Sequence, residues 1–249
     1  MKRMLMALTL ILTTFMIQGC KKDMDYKPQN FFEGKQLEIA QLIYDGNESG
    51  LKQALSGISK EDMNRPAKAE MTLLFWAVLN SIYDRNSNPR LRIITDLVNA
   101  GADPLQPRTE GGSSPAEYVL KADSGIWIKA MLDGGLSPNS KDRVFNEPLI
   151  FETRKAKNTE TLKVMIERGA NINIRDSLKQ TLVMAAFFRS SFGHVELLLN
   201  SGADPNPVDI NNLSLLTVVK RQIKDTKEGS EYNNECKKIL ALMLAKGAK

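Results

Sequence analysis

The sequence predicts an all-α solenoid in which copies of one helix-turn-helix unit stack along a single axis. One observation is a glycine that recurs every 33 or 34 residues, and another is a marker residue that recurs at the same interval before each predicted helix. Because both series share one period, they predict a repeat architecture that buries its core between units and exposes one long surface. The glycines are Gly101, Gly135, Gly169 and Gly202, and the markers are Ser114, Glu147, Thr181 and Ser214.

Each predicted unit consists of two helices joined by a turn. In one unit, Thr181 starts a short apolar helix, and Gly202 ends the second helix. Glycine suits that position because it adopts the positive φ of a helix C-terminus without strain. In the preceding unit, Pro148 is predicted at the first position of a helix and Asn158 as the cap of the next one.

These residues resemble the ankyrin repeat, whose consensus combines a Thr-Pro-Leu-His-x-Ala helix start with a Gly-Ala-Asp-x-Asn turn. The matching turns begin at Gly169 (GANIN) and Gly202 (GADPN), and the matching helix starts lie at Thr72 (TLLFWA) and Thr181 (TLVMAA). The resemblance covers about residues 35 to 249 and implies about five repeats behind an N-terminal capping half-repeat. It also implies that the turn supported by the consensus histidine is absent or replaced. In the five successive repeats, the position of the consensus histidine is occupied by Phe75, Glu117, Ile150, Met184 and Thr217.

Two repeats are longer than the others. In most repeats the marker residue and the glycine are 21 or 22 residues apart. The distance is 29 residues from Thr72 to Gly101 and 33 residues from Ser214 to Gly247. The extra residues, at 81–87 and 224–234, fall between the two helices of a unit. They are interpreted as solvated loops or lengthened helices of terminal repeats, or alternatively as partner contacts.

Residues 1–19 are interpreted as a signal peptide. Lys2 and Arg3 precede an apolar stretch that is too short to span a bilayer comfortably and that ends in a small residue. With Cys20 the segment resembles a bacterial lipoprotein signal, which implies that Cys20 is lipidated and becomes the mature N-terminus. An uncleaved anchor or an ordinary secretory signal is the alternative.

The segment after the cysteine predicts a position close to a membrane. Lys21 stands where an aspartate would resemble an inner-membrane retention signal, so the resemblance implies a periplasmic protein anchored to the outer membrane. Residues 20–34 are interpreted as the lipidated cysteine and a polar tether, and the 13 residues from Lys21 to Glu33 reach at most roughly 45 Å. The repeat domain is expected to occupy 35–249.

Composition and motifs argue against an enzyme and against a nucleic-acid binder. Without Lys2 and Arg3 the chain has 32 basic and 29 acidic residues, a net charge of +3, with no arginine-rich stripe. It lacks the P-loop, dinucleotide-binding and nucleophile-elbow motifs. The one histidine, His194, is expected to lie inside a helix, partly buried and hydrogen-bonded, or else to be a pH-sensitive contact. No catalytic residue, metal site or cofactor is predicted.

The turns between repeats are the candidate binding surface. In this family the inter-repeat turns and the first helices usually form a concave binding face, so the resemblance implies a protein partner there. A row of arginines with interspersed apolar side chains suits an acidic partner with apolar anchors. The alternative is that these charges only solvate the turns. The candidate partner-binding residues are Arg108, Glu110, Lys141, Arg143, Phe145, Arg175, Leu178, Lys179, Asp209 and Ile210.

Two functions fit these expectations. Compact repeat lipoproteins are similar to immunity proteins that protect bacteria against type VI secreted lipases, which implies a secreted phospholipase effector as the partner. The concave face would occlude the effector, and the lipid anchor would raise the local concentration of the immunity protein at the threatened membrane. The alternative is an envelope scaffold or adaptor that organises other periplasmic or outer-membrane proteins.

Overall fold

The helices stack as successive pairs along the chain. The computed structural model describes residues 26–83, 88–108 and 112–249, so Cys20 lies outside the described residues. An N-terminal cap contains the 3₁₀-helix Pro28–Asn30, the α-helices Gly34–Tyr44, Glu48–Leu55 and Lys60–Asn64, and the 3₁₀-helix Lys68–Glu70. The paired helices that follow are Leu73–Tyr83 and Asn88–Ala100 in repeat 1, Pro115–Leu120 and Ile126–Asp133 in repeat 2, Leu149–Lys155 and Glu160–Glu167 in repeat 3, Leu182–Phe188 and Phe192–Asn200 in repeat 4, and Leu215–Asp225 and Glu231–Ala245 in repeat 5.

The periodic glycines end the second helices as the sequence predicts. Their φ angles run from +81° to +110°, a region that residues with a side chain rarely adopt. The residue after the glycine then closes the helix end, as where Ala203 donates its N–H to the Leu198 carbonyl at 2.9 Å. The predicted all-α solenoid is confirmed. These glycines are Gly101, Gly135, Gly169, Gly202 and Gly247.

The asparagine of the turn motif connects consecutive repeats. Asn139 Oδ1 accepts the Asn171 N–H at 2.7 Å, and Asn173 Oδ1 accepts the Asp204 N–H at 2.9 Å. Asn206 Oδ1 accepts the Lys249 N–H at 2.8 Å. Each bond spans roughly one repeat in sequence, so these side chains fix the register of one turn against the next.

Apolar side chains fill the space between the helix layers in one connected cluster. The layers approach closely where repeat 2 meets repeat 1. A Cβ atom added at Gly134 would lie 2.7 Å from the Thr95 carbonyl oxygen and 2.7 Å from Val98 Cβ. Gly134 has an ordinary helical φ of −81°, so it is required there by the contact and not by its backbone conformation.

The N-terminal boundary of the domain differs from the sequence-based one. The Phe32 side chain is 1% exposed, and its ring centroid lies 5.8 Å from that of Trp76 in repeat 1. Phe31 lies 5.5 Å from the same ring, and Tyr26 packs edge-on against Phe31 at 5.7 Å. Residues 26–34 therefore belong to the cap and not to a free tether, because Phe32 is buried and the partly buried Phe31 and Tyr26 pack against the hydrophobic core.

The extra residues of repeat 5 lengthen its helices. Its helices contain 11 and 15 residues, against 7 and 9 in repeat 4, and residues 226–230 form the turn between them. Asn233 in the second helix binds the Ile223 carbonyl at 2.8 Å and so connects the two. In repeat 1, the corresponding segment 81–87 lies partly outside the described residues, since 84–87 are not described.

Repeat 3 departs from the predicted helix pair. Pro148 is the N-cap and not the first helical residue, and the following helix is 3₁₀. The Thr153 hydroxyl donates to the Ile150 carbonyl at 2.7 Å, a local bond of the kind that competes with α-helical pairing. The N-cap of the second helix is Thr159 and not Asn158 as predicted, although Asn158 Oδ1 accepts the Glu160 N–H at 3.0 Å from one position earlier.

His194 is buried within the second helix of repeat 4, as the first of the two interpretations predicts. Its Nε2 atom lies 3.0 Å from the Thr153 carbonyl oxygen of repeat 3. Burial lowers the pKa of His194, and the bond to Thr153 offsets this only partly. The neutral imidazole with a proton on Nε2 therefore joins the two repeats.

We expect His194 to make the protein less stable in acid. The unfolded chain has the ordinary histidine pKa of about 6.5 and the folded chain a lower one, so unfolding takes up a proton as the pH falls through this window. The free energy of unfolding in urea should decrease from pH 7.5 to pH 5.5 more steeply in the natural protein than in His194→Gln. Equal slopes for the two proteins would contradict this assignment.

The close contact at Gly134 predicts a steric cost for a single methyl group. Gly134→Ala should lower the free energy of unfolding by about 1–3 kcal/mol, because the backbone of repeat 1 must move. Gly193→Ala is the matched control, since the nearest atom to its new Cβ lies at 3.8 Å, and it should raise stability by about 0.5–1 kcal/mol. Urea midpoints measure both, and a neutral Gly134→Ala would refute the close contact.

Candidate protein-binding surface

Three hairpin turns project from repeats 3, 4 and 5. Each is closed by a single β-bridge, which joins Lys141 to Pro148, Arg175 to Thr181, and Val208 to Ser214. We call these turns finger 3 (141–148), finger 4 (175–181) and finger 5 (208–214). The fingers contain most of the residues that the sequence proposes for partner binding.

An aspartate near the start of each finger holds the turn from inside. The Asp142 carboxylate accepts the N–H groups of Val144, Phe145 and Glu147. Asp176 accepts those of Leu178 and Gln180, and Asp209 repeats this pattern in finger 5 with Asn211 and Leu213. Burial raises the pKa of Asp176, and the N–H donors of Gln180 and Leu178 act in the opposite direction. The acidic groups of the fingers are thus used for folding.

Asp209 is therefore not a surface residue as the sequence interpretation assumes. It is 8% exposed, and its Oδ1 atom accepts N–H groups within finger 5 at 2.8 and 2.9 Å. A carboxylate so occupied is an internal cap of the turn, and the proposed partner-binding role of Asp209 is corrected accordingly.

Neighbouring fingers are bonded to each other. The Ile210 N–H of finger 5 donates to the Leu178 carbonyl of finger 4 at 2.9 Å. Both carboxylate oxygens of Glu147 accept the Ser177 N–H at 3.1 Å, which connects finger 3 to finger 4. The three fingers therefore form a continuous edge.

The predicted arginine row is engaged within the protein. Arg175 Nη1 donates to the Lys179 carbonyl at 2.6 Å and to the Val208 carbonyl of finger 5 at 2.7 Å. Arg143 Nη1 lies 2.5 Å from Asp103 Oδ2. The Arg108 guanidinium stacks over the Phe75 ring, 5.6 Å from its centroid. These side chains hold turns together, so they are poor candidates for a free basic row.

The apolar residues between them do lie at the surface. Phe145 is 78% exposed, Leu178 53% and Ile210 49%, and they occupy the tips of fingers 3, 4 and 5 in order. Val144 beside Phe145 is 51% exposed. We call Val144, Phe145, Leu178 and Ile210 the apolar ridge. A row of exposed apolar side chains along a bonded edge is typical of a protein-binding site.

Two lysines flank the apolar ridge. Lys141 and Lys179 are both exposed, as the sequence interpretation expects. Lys179 has a φ of +57°, so it also forms part of the tight turn of finger 4. Glu110, the remaining proposed contact, lies outside the described residues.

The sequence interpretation missed basic residues on the first helices. They lie seven or eight residues after the repeat markers in repeats 2 to 5, in the second half of the first helix or directly after it. This shared spacing is the sequence signal that could have identified them. Phe188 lies in the same row and is 45% exposed. The basic residues are Lys121, Arg154, Lys155, Arg189 and Arg221.

Within 26–83, 88–108 and 112–249, His, Cys, Asp and Glu side chains form no group of three or more that could hold a metal ion. No helix in this part of the chain combines the length and the apolar character needed to cross a membrane.

The sequence is similar to ankyrin-repeat proteins over part of its length. No protein-family model matches the chain. The putative ankyrin repeat protein R664 of Acanthamoeba polyphaga mimivirus is 28% identical over 111 residues, which are 42% of this chain and 68% of that protein. The ankyrin repeat, SAM and basic leucine zipper domain-containing protein 1 of Oryctolagus cuniculus is 32% identical over 40% of this chain. The match spans only 22% of that rabbit protein.

Solved structures match nearly the whole chain. The ankyrin repeat domain of Bcl-3 superposes with a TM-score of 0.62 and 18% identity, covering 85% of this chain and 86% of that one. An ankyrin repeat domain from Acinetobacter baumannii AYE gives a TM-score of 0.57 and 20% identity, covering 85% and 98%. The fold is that of ankyrin-repeat domains. Proteins with this fold are typically non-enzymatic modules that bind other proteins.

The two backbone bonds of Arg175 predict a structural role that can be measured. Arg175→Gln should lower the free energy of unfolding by about 1–2 kcal/mol, because two carbonyl groups lose a charged donor. Lys141→Gln is the matched control, since Lys141 holds the equivalent position of finger 3 and is exposed, and it should change stability by less than about 0.5 kcal/mol. Equal effects in urea unfolding would contradict the assignment.

Proposed function

We propose that this protein is an immunity lipoprotein that binds and neutralises a toxic secreted effector of the lipase type in the periplasm. It binds the effector through the apolar ridge and the adjacent finger face and prevents the effector from reaching phospholipid. The proposed effector is delivered by a type VI secretion system. The protein needs no catalytic group of its own, because steric occlusion is sufficient.

The apolar ridge is the observation that carries this proposal. The four exposed side chains of the apolar ridge lie on three turns that are bonded edge to edge, and the turn aspartates accept N–H groups of their own turns. Large apolar side chains in such a row give a partner anchor points, and a few anchors supply most of the binding energy in protein complexes. The rigid backbone of the fingers limits the entropy lost on binding.

The proposed lipid anchor fits this role through a short linker. Tyr26, the first described residue, packs against Phe31, so at most residues 21–25 separate Cys20 from the packed domain. Five residues reach at most roughly 17 Å, so lipidation at Cys20 would hold the domain directly above the membrane. Such tethering raises the effective concentration of an inhibitor where a phospholipase acts. Lysine at position 21 favours the outer membrane.

A competition experiment tests the proposal. Cells that lack the gene should be killed by sister cells that retain the secretion system, and the natural gene should restore survival. Leu178→Gln should restore it poorly, because loss of one apolar anchor weakens binding by about 2 kcal/mol, or roughly 30-fold. Leu244→Gln is the matched control, since Leu244 is equally exposed at 52% on the last helix, and it should protect fully.

A further arm separates anchoring from binding. Cys20→Ser should lose labelling by a palmitate analogue and protect less well, while the purified variant should still capture the effector. If the deletion cells survive this competition unharmed, the proposed immunity function is wrong. Effects on envelope assembly with normal survival would instead support the scaffold alternative.

A further inference from the structure

The first helix of repeat 5, Leu215–Asp225, turns one side to the core and the other to solvent. Its apolar residues up to Val219 are buried. Four exposed residues follow the spacing i, i+3, i+4 and i+7, which places them on one side of an α-helix, and three of them are cations. We call this surface the basic face, and it consists of Thr217, Lys220, Arg221 and Lys224.

The three cations of the basic face are close neighbours. Residues three or four apart on an α-helix have Cβ atoms about 5–6 Å from each other, so Lys224 neighbours both Lys220 and Arg221. Like charges at this spacing oppose helix formation. The helix dipole favours a cation in the last turn, which accounts for Lys224. It does not account for Lys220 and Arg221, which come earlier in the helix.

Other helices of the protein compensate their lysines within one turn. Lys52 pairs with Glu48 at 2.7 Å, and Lys129 pairs with Asp133 at 2.9 Å. Such pairs are what a helix surface needs for solubility and stability alone. The basic face departs from this pattern.

No cation of the basic face makes an ion pair within the described residues. Asp225 is exposed at the end of the same helix and is not paired with them. The facing second helix uses its own lysines, since Glu235 pairs with Lys238 at 2.5 Å and Lys237 lies 3.5 Å from Glu228 of the turn. The positive charge of the basic face is therefore left to an external anion.

The basic face lies on the lengthened and rigid part of repeat 5. The first helix has 11 residues, against 7 in repeat 4. Its end is held by Asn233, which is 1% exposed and donates to the Ile223 carbonyl at 2.8 Å and to the Thr226 hydroxyl at 3.1 Å. A rigid support holds the cations in place before a partner arrives and so limits the entropy lost on binding.

We propose that the basic face binds an acidic segment of the protein partner, with carboxylates at alternate residues of an extended chain. The proposal rests on the proposed function in that the partner is a protein, and it adds a second contact and its chemistry. Side chains two residues apart on an extended chain are separated by about 6.5 Å. This matches the rise of about 6 Å from Lys220 to Lys224, so alternate carboxylates reach successive cations.

The position of the basic face favours a protein over a membrane surface. The helix begins directly after finger 5, where its N-cap Ser214 has its hydroxyl 2.8 Å from that of Thr217. A partner seated on Ile210 in finger 5 can therefore continue onto the basic face. Binding to a lipid layer is strengthened by apolar side chains that enter it, and the basic face has no large apolar side chain.

Peptide binding by the purified full chain tests the proposal. The probe is a fluorescein-labelled peptide of sequence Gly-Glu-Ser-Glu-Ser-Glu-Gly, measured by fluorescence anisotropy at low salt, and the Gln-for-Glu peptide is its neutral counterpart. We expect the acidic peptide alone to bind. The combined variant Lys220→Gln, Arg221→Gln and Lys224→Gln should weaken binding at least about tenfold, because charge-assisted contacts are lost.

The matched control removes three exposed lysines that lie in or beside second helices. It combines Lys157→Gln, Lys163→Gln and Lys246→Gln, and its affinity for the acidic peptide should differ by less than about twofold. Absent binding to the natural chain, equal losses in both triple variants, or equal binding of the neutral peptide would overturn the proposal. If the triple variant of the basic face fails to fold by circular dichroism, Arg221→Gln alone gives the same test, because its side chain is exposed.

Two further measurements separate the other roles that the cations can have. Unchanged peptide affinity with a loss of binding to phosphatidylglycerol vesicles would assign the basic face to a lipid surface and overturn the proposal. The urea midpoint of the triple variant should be nearly that of the natural chain. A lower midpoint with unchanged peptide affinity would assign the cations to helix stability alone. The peptide measurement does not depend on bacterial competition, so either proposal can fail without the other.

Discussion

The structure depends on burial between neighbouring repeats, because its helices are too short to be stable alone. Helices of 6 to 9 residues make up most of repeats 2 to 4, whereas an isolated helix of fewer than about 12 residues is marginal in water. Their apolar faces are covered by the partner helix of the same repeat and by the adjacent repeats. The spacing between layers is fixed at contacts such as Gly134 against Thr95, and the register is fixed by asparagines such as Asn139 and Asn173. The regular stacking of the repeats therefore determines where the fingers lie relative to one another.

The fingers divide their polar and apolar side chains between two tasks. Aspartates such as Asp176 satisfy main-chain N–H groups inside each turn, and Arg175 satisfies carbonyl groups between turns. With the polar groups so occupied, the apolar side chains at the tips are left without an internal partner and remain exposed. Leu178 shows both effects, since its carbonyl accepts the Ile210 N–H while its side chain is 53% exposed. The same backbone bonds that build the edge present its apolar residues to solvent.

The sequence predicted the features that depend on local chemistry. A glycine at a helix end needs positive φ, so Gly101, Gly135, Gly169 and Gly202 fixed the repeat period and the solenoid without any structure. Contacts between distant residues could not be predicted in this way. Sequence spacing places Arg175 in a turn, but it does not predict the hydrogen bond from its guanidinium to the Val208 carbonyl, 33 residues later. The packing of residues before the expected boundary at 35 could not be predicted for a similar reason, because the burial of Phe32 depends on Trp76 in the first repeat.

In the proposed complex, affinity and specificity have different sources. Apolar anchors supply affinity for many partners, since any large hydrophobic side chain benefits from the same burial. Specificity then depends on the spacing of the anchors, because the bonds between fingers hold Phe145, Leu178 and Ile210 in a fixed order along one edge. The polar side chains that build this edge, such as Arg175, are already bonded inside the protein. A partner is therefore selected mainly by the fit of its surface to the ridge.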